Sequence, residues 1–216
     1  MSKDIQQLKD ELKVLKKGLR ECAKECERIQ KTAEYDFLTE IYNRRGFLRE
    51  AGRFLGEMET ERRQQARRQS NIIRSIALIF IDVDDLKIVN DRHGHKKGDN
   101  YLRAIARVLT KAVREIDVVG RWGGDEFVVA LINAGDKEAL IVAQKLKRRI
   151  AALSLFKRID PNFRCSASFG LIATDGSILH PNYGLHALIE KADRAMYEAK
   201  IQRGKGVIVS FSEIIR

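Results

Sequence analysis

Three carboxylates occur within four positions at the end of an apolar segment. The segment 76–83 (IALIFIDV) is rich in β-branched residues, which predicts a buried central strand, and Asp82, Asp84 and Asp85 fall at its end. Carboxylates this close repel one another unless a cation lies among them, and oxygen ligands suit Mg²⁺, which often bridges protein carboxylates and substrate phosphates. The motif therefore indicates either a magnesium and phosphate site or an acidic turn whose aspartates cap the chain.

A second acidic pair follows two glycines in the segment 121–127 (RWGGDEF). Gly123 and Gly124 lack side chains where the backbone must turn sharply or lie against a ligand. Asp125 and Glu126 come directly after them and point to opposite faces if a strand resumes there. An ordinary hairpin turn explains the same residue types, so this spacing alone leaves both interpretations open.

The rest of the chain alternates amphipathic helices with short strands. The patterns predict helices over 44–68, 100–114, 137–153 and 185–202, and strands over 76–83, 117–121, 127–132, 164–173 and 206–211. Helices interleaved with a mixed sheet predict an α+β domain of the split βαβ, ferredoxin-like type, with helices flanking a central sheet.

The N-terminal segment carries apolar residues in alternating steps of three and four. These residues are Ile5, Leu8, Leu12, Leu15, Leu19, Cys22, Cys26, Ile29 and Ala33. The repeat predicts a coiled-coil helix over residues 1–35 that forms a parallel dimer, followed by the main domain over residues 36–216. A single amphipathic helix packed on its own domain is the alternative.

Composition narrows the class of protein. The chain has 216 residues, of which 44% are hydrophobic and 33% charged, enough for one domain with a sizeable core and a short appendage. No apolar run reaches the length of a membrane span, the N-terminus lacks a signal-peptide core, and the three cysteines have no metal-ligand spacing. These features predict a cytoplasmic protein that does not associate with a membrane.

The net charge of +11 has two interpretations. It fits a nucleic-acid surface, or basic faces suited to polyphosphate ligands. The basic segment 61–68 (ERRQQARR) has no interleaved aromatic residues that could stack on bases. We therefore predict no nucleic-acid partner.

The segment 123–127 (GGDEF) is the signature for which the GGDEF family of diguanylate cyclases is named. The chain resembles that family at further motifs in family order: DFLT at 36–39, NRR at 43–45, FIDVDDLK at 80–87, ND at 90–91, HGH at 93–95, GD at 98–99, SFG at 168–170, AD at 192–193, AMY at 195–197 and AK at 199–200. The resemblance covers about residues 36–209 and implies a cyclase-palm fold related in plan to nucleotide polymerases.

The resemblance also implies a reaction. Two subunits, each holding one GTP, meet face to face, and each 3′-hydroxyl attacks the α-phosphate of the other GTP to give cyclic di-GMP and two pyrophosphates. It implies that Asp82 and Asp125 bind Mg²⁺, with Mn²⁺ as another candidate, and that the Val83 carbonyl assists. Glu126 is then a further acid of the metal site or helps to deprotonate the attacking hydroxyl.

The same resemblance assigns contacts to the phosphates through the backbone. Gly123 and Gly124 let the main chain approach the nucleotide, and main-chain groups around Asp85, Leu86 and Lys87 hold the terminal phosphates.

Side chains with matching family positions are expected to read the base and the phosphates. Asn90 and Asp99 match the guanine-reading pair, and a carboxylate accepts hydrogen bonds from guanine donors that adenine does not present together. Lys200 matches a phosphate contact. The following segment is one residue longer than the family pattern and lacks its Asn, so Lys205 is our candidate for the second phosphate contact and Arg203 the alternative.

An RxxD motif precedes the two glycines by five residues. Arg114 and Asp117 match the inhibitory site at which the family binds its product, although an exposed Arg–Asp surface pair shows the same pattern. Some GGDEF domains have lost catalysis and serve as cyclic di-GMP receptors, which is the alternative function. The intact Asp82 and GGDEF residues favour an active enzyme.

Overall fold

One mixed sheet of five strands organises the domain in the computed structural model, which describes residues 2–63, 73–174, 184–201 and 204–214. The strands are β1 (Ile76–Val83), β2 (Val118–Arg121), β3 (Glu126–Ile132), β4 (Ala167–Thr174) and β5 (Ile208–Ser210). Their order is β2-β3-β1-β4-β5, and all neighbours are antiparallel except β4 and β5. The long central β1 therefore ends between β3 and β4.

Helices cover both faces of this sheet. They are α1 (Ser2–Glu34), α2 (Arg44–Arg63), α3 (Leu86–His93), α4 (His95–Ala112), α5 (Asp136–Ala151), α6 (Leu185–Ile201) and α7 (Phe211–Ile214). The order β1-α3-α4-β2-β3-α5-β4 is the ferredoxin-like arrangement, which confirms the predicted α+β class. Within the described ranges, none of these helices has the length and apolar content needed to cross a bilayer.

Strand β1 is buried on both faces. Ile79 and Ile81 belong to the core shared with α4 and α5, whereas Leu78 and Phe80 belong to the core shared with α2 and α6. This double burial explains the uninterrupted apolar run in the sequence. Because apolar side chains fill both faces along β1, its polar chemistry is confined to its carboxyl end.

The structure corrects the sequence prediction between β1 and β2. The helix predicted to begin at residue 100 begins at His95, and a helix that was not predicted, α3, precedes it. Gly94 separates the two with φ of 80°, a conformation that interrupts a helix and suits glycine. Gly94 and Gly98, within a strongly polar segment, hide the helical period in the sequence.

The ends of other elements also differ from prediction. β4 begins at Ala167 rather than residue 164, because the Ser166 N–H donates to the Tyr101 hydroxyl at 3.1 Å instead of continuing a ladder. β5 is shorter than predicted, and its last predicted residue, Phe211, begins α7. The described part of α2 ends at Arg63; residues 64–68 of the predicted helix lie outside the described residues.

The last turn of α1 is fixed to the start of α2. The Glu34 carbonyl accepts from the Asn43 N–H at 2.8 Å, and the Glu34 carboxylate pairs with Arg49 at 2.8 Å. A Cβ on Gly46 would lie 2.2 Å from the Glu34 carbonyl oxygen, so this approach requires glycine. The end of the N-terminal helix is thus attached to the sheet domain by several contacts.

Toward the N-terminus of α1, apolar side chains of the predicted dimer seam are exposed in the single chain: Leu12, Leu15, Leu19 and Ile29. The side chains of Ile5, Leu8 and Cys26 lie outside the described part of the structure. The coiled-coil dimer and the boundary at residues 35 and 36 stay predictions.

Candidate active site

The carboxyl end of β1 brings the predicted acidic residues together. Asp82 is paired in register with Glu126 of β3 on one side and with Ser168 of β4 on the other. The Val83 N–H donates to the Asp125 carbonyl at 3.0 Å, which holds the glycine hairpin against the end of β1. Asp82, Asp125 and Glu126 are therefore neighbours in space although the sequence separates them by more than forty residues.

Burial and mutual repulsion act on these carboxylates. Burial raises the pKa of Asp82, and the charge of Asp125 adds to the effect, although a hydrogen bond from Lys200 opposes it. Burial also raises the pKa of Glu126, as do the charges of Asp82, Asp193 and Asp125. Asp82 and Glu126 are therefore harder to ionise, and a bound cation would relieve this repulsion.

Lys200 of α6 lies against this cluster. Its Nζ donates to Asp82 Oδ1 at 2.6 Å. Burial alone would lower the pKa of Lys200, but the hydrogen bond and charge of Asp82 outweigh it and raise the pKa. α6 reaches the site because Gly170 of β4 has no side chain: a Cβ there would lie 2.0 Å from the Ala192 carbonyl oxygen.

The donor set fits the expected divalent cation in its chemistry. Carboxylate oxygens, with a main-chain carbonyl at the strand end, are the ligands that Mg²⁺ prefers. In the described ranges, no three acidic, histidine or cysteine side chains are already gathered closely enough to hold an ion. Asp82 is instead paired with the Lys200 ammonium. A cation bound by Asp82 therefore has to compete with this lysine.

The N-terminus of α3 borders the same strand end. Asp85 precedes the helix with φ of 61° and makes no side-chain cap to it. Its carboxylate pairs instead with Lys205 Nζ at 2.5 Å. The first N–H groups of a helix have no partner within it, so the main chain at Leu86 and Lys87 presents donors suited to phosphate.

Asn90 and Asp99 lie on consecutive helices that pack against each other. A Cβ on Gly98 would lie 2.0 Å from Asn90 Oδ1, so glycine at this position lets the Asn90 side chain lie against the first turns of α4. Asp99 follows Gly98 directly, and Asn90 and Asp99 are both half-buried. The structure thus places the two predicted base-reading residues beside one another.

The RxxD residues lie at the opposite end of β3 from Glu126. The Asp117 side chain is only 2% exposed. Its carboxylate accepts from the main-chain N–H groups of Arg114 at 2.9 Å and Ile132 at 3.0 Å. The Arg114 guanidinium is exposed and pairs with Asp117 at 3.0 Å. Ile132 lies six positions after Glu126 along the strand, roughly 20 Å away, so this pair forms a separate site.

Sequence reasoning assigned no role to Arg121, which the structure connects to both the N-terminal junction and the hairpin. Arg121 pairs with Asp36 at 3.0 Å, and its Nη2 donates to the Gly124 carbonyl at 2.8 Å. Burial would raise the pKa of Asp36, but hydrogen bonds from Thr39 and Arg121 lower it. Asp36 and Arg121 lie in two separate motifs of the sequence, but the sequence does not show that they pair across 85 residues.

Four further residues complete the description of the site. Asp84 is buried rather than facing the other acids, and Asp193 lies near enough to Glu126 to raise its pKa. Trp122 packs beside Phe47 and Phe80. Arg203, the alternative phosphate contact, lies outside the described residues.

Comparison with known proteins identifies the family. The family model described as "Diguanylate cyclase, GGDEF domain" matches residues 33–206. The chain therefore belongs to the GGDEF domain family of diguanylate cyclases, as its motifs predicted.

Two curated relatives and one solved structure show the extent of the likeness. The chain is 36% identical over 130 residues to diguanylate cyclase DosC of Escherichia coli (strain K12), covering 60% of this chain and 27% of DosC. It is 32% identical over 176 residues to diguanylate cyclase DgcM of the same strain, covering 81% of this chain and 38% of DgcM. The chain thus spans well under half the length of these relatives.

The solved structure is the coiled coil and GGDEF domain of DgcB from Caulobacter crescentus, in complex with c-di-GMP. It superposes with a TM-score of 0.75 at 24% identity, covering 94% of this chain and 98% of the other. This likeness confirms the predicted fold, including a long N-terminal helix before the sheet domain.

Proposed function

We propose that this chain condenses two GTP molecules into cyclic di-GMP, with a divalent cation and as a dimer. The observation that carries the proposal is the cluster of Asp82, Asp125 and Glu126 at one strand end, flanked by Lys200 and by the N-terminus of α3. Carboxylates for a cation beside donors for phosphate suit a nucleoside triphosphate. The activity named for DosC and DgcM supports the same reaction.

The roles of the acidic residues follow from their positions. Asp82, Asp125 and the Val83 carbonyl would hold Mg²⁺ or Mn²⁺, which when bound offsets the charge of the phosphates. Glu126 is suited to accept the proton of the attacking 3′-hydroxyl, because its raised pKa makes it a stronger base than an ordinary carboxylate. The new bond joins O3′ to the α-phosphorus, and the bond from that phosphorus to pyrophosphate breaks.

Base selection belongs to Asn90 and Asp99 in this proposal. A carboxylate at Asp99 accepts from guanine N1–H and the 2-amino group, and adenine does not present these donors together. The test is to supply GTP and ATP separately and to identify the products by mass. Turnover of GTP alone supports the assignment, and equal turnover of both overturns it.

Lys200 is expected to exchange partners when substrate binds. In the structure it neutralises Asp82, and by its family position it contacts a phosphate. Replacing Lys200 with methionine should therefore tighten Mg²⁺ binding to the nucleotide-free protein by about tenfold, since Asp82 loses its competing cation. The same variant should turn GTP over more slowly.

The measurement is the Mg²⁺ concentration that gives half of the metal-dependent rise in melting temperature. Lys147→Met, at an exposed position on α5, is the matched control and should bind Mg²⁺ as the unmodified protein does. Unchanged or weaker Mg²⁺ binding by Lys200→Met would show that Lys200 does not compete for this site.

Product inhibition is proposed at Arg114 and Asp117. The Arg114 guanidinium is exposed but donates to Asp117 and to the Ile132 carbonyl, so it has to exchange these partners to contact a phosphate or a guanine edge. Asp117 fixes two main-chain N–H groups, so its replacement should destabilise the fold as well as the site. Arg114 is therefore the better residue to test.

Replacing Arg114 with alanine should preserve the initial rate and raise the cyclic di-GMP concentration needed for half inhibition by at least about tenfold. The measurement is the initial rate of pyrophosphate release as cyclic di-GMP is added. Glu115→Ala, an exposed change in the same turn, is the control and should keep the inhibition. If cyclic di-GMP inhibits Arg114→Ala at the same concentrations at which it inhibits the unmodified protein, this role is refuted.

A further inference from the structure

A buried polar cluster lies directly behind the phosphate-facing side of the site. Asp84 follows β1, yet its side chain is 0% exposed. Its two carboxylate oxygens accept hydrogen bonds from Ser166 Oγ at 2.7 Å and from Ser168 Oγ at 2.9 Å. A buried carboxylate is retained only where hydrogen bonds satisfy it, so this cluster has one defined arrangement.

Ser168 extends the cluster to a second element. While its hydroxyl donates to Asp84, its oxygen accepts the main-chain N–H of Gly206 at 3.2 Å. Ser168 is itself fully buried and is paired in register with Asp82. The Ser168 hydroxyl therefore joins Asp84, at the end of β1, to the loop that follows α6.

That loop presents Lys205 between two glycines with left-handed backbone. Gly204 has φ of 86° and Gly206 has φ of 71°, conformations that other residues rarely adopt. The Lys205 ammonium is held at the Asp85 carboxylate, beside the N-terminus of α3. The backbone next to this lysine is held by the hydrogen bond from the Gly206 N–H to Ser168 Oγ.

We propose that Ser168, fixed by buried Asp84, is a positioning residue that holds the Gly204–Gly206 loop so that Lys205 contacts the terminal phosphates of the nucleotide. This rests on the proposed function for the class of ligand.

The test measures binding without turnover. Calorimetric titration of the full chain, freed of bound nucleotide, uses α,β-methylene-GTP, which keeps all three phosphates and cannot release pyrophosphate. Lys205→Ala and Ser168→Ala should each weaken binding about tenfold, and the double variant should bind no more weakly than either single variant. GMP, which lacks the terminal phosphates, should bind all of these variants equally.

Ser166→Ala is the matched control. Ser166 donates to the same carboxylate, but the Gly206 N–H donates to Ser168. It should bind the analogue within about twofold of the unmodified protein. Ser168→Cys, which keeps the size and weakens the hydrogen bonds, should give an intermediate loss and serves if Ser168→Ala fails to fold.

Two results would overturn the proposal. One is that Ser168→Ala or Ser168→Cys binds the analogue as tightly as the unmodified protein does. The other is that the fold-losses of affinity of the two single variants multiply in the double variant, because independent effects mean that Ser168 does not act through Lys205. Because the analogue cannot react, these outcomes are distinct from failure of the proposed function, which would appear as analogue binding without any cyclic di-GMP from GTP.

Discussion

Replacing Glu126 with glutamine is expected to abolish cyclic di-GMP synthesis, with turnover lowered at least about a thousandfold. The amide can neither accept the proton of the attacking hydroxyl nor add negative charge for a cation beside Asp82, its register partner. The measurement is product formed from GTP and Mg²⁺, separated by chromatography. Retention of more than about a tenth of the unmodified turnover would defeat the role given to this residue.

The same variant should be slightly more stable, which separates lost chemistry from lost structure. Glu126 has a raised pKa in the folded protein, so its ionisation opposes folding in full above the folded-state pKa. As the pH falls, this effect decreases through the folded-state pKa and is absent below the lower, unfolded-state pKa. Glutamine has no charge to oppose folding. At neutral pH without metal, the melting temperature of the Glu126→Gln variant should be about 1 °C above that of the unmodified protein. Glu190→Gln, exposed on α6, should change neither property.

Breaking the predicted seam of α1 is expected to have the second largest effect. Lysine at both Leu15 and Leu19 places charge on the stripe that would face a partner helix, and the protein should become monomeric. Synthesis needs two nucleotide sites to meet, so loss of the high local concentration of the partner should lower activity about a hundredfold at low protein concentration. Raising the protein concentration should restore part of the rate.

Val14→Lys is the matched control for the seam. Leu15, Leu19 and Val14 are 73%, 74% and 72% exposed, but Val14 lies on another face of α1. Light scattering after gel filtration measures the mass, and pyrophosphate release measures the rate. A double variant that is monomeric and fully active at nanomolar concentration would contradict the requirement for a dimer.

Local patterns were sufficient to predict the elements that carry the acidic cluster. The apolar run from Ile76 to Val83 predicted β1 with both of its ends, because burial on two faces leaves an uninterrupted β-branched segment. The GGDEF residues predicted the hairpin that precedes β3. The long helix α1 followed from its repeat, and the α+β class from the alternation of elements.

Contacts between distant residues could not be predicted in the same way. Lys200 reaches Asp82 across 118 residues, and Asp84 meets Ser166 and Ser168 across more than eighty. Residue type and spacing alone do not distinguish Asp82, Asp84 and Asp85 as cation ligands, because all three are carboxylates in one short segment. Only the fold separates them, by turning Asp84 inward to two serine hydroxyls and Asp85 toward Lys205.

The most direct test of the account is to incubate the purified chain, freed of bound nucleotide, with GTP and Mg²⁺ and to identify every product by chromatography and mass. The proposed function predicts cyclic di-GMP with two pyrophosphates for each molecule formed, and no product after the divalent cation is chelated. A folded, dimeric sample that forms no cyclic di-GMP with either Mg²⁺ or Mn²⁺ would contradict it. Tight binding of added cyclic di-GMP by that inactive sample would instead indicate a receptor.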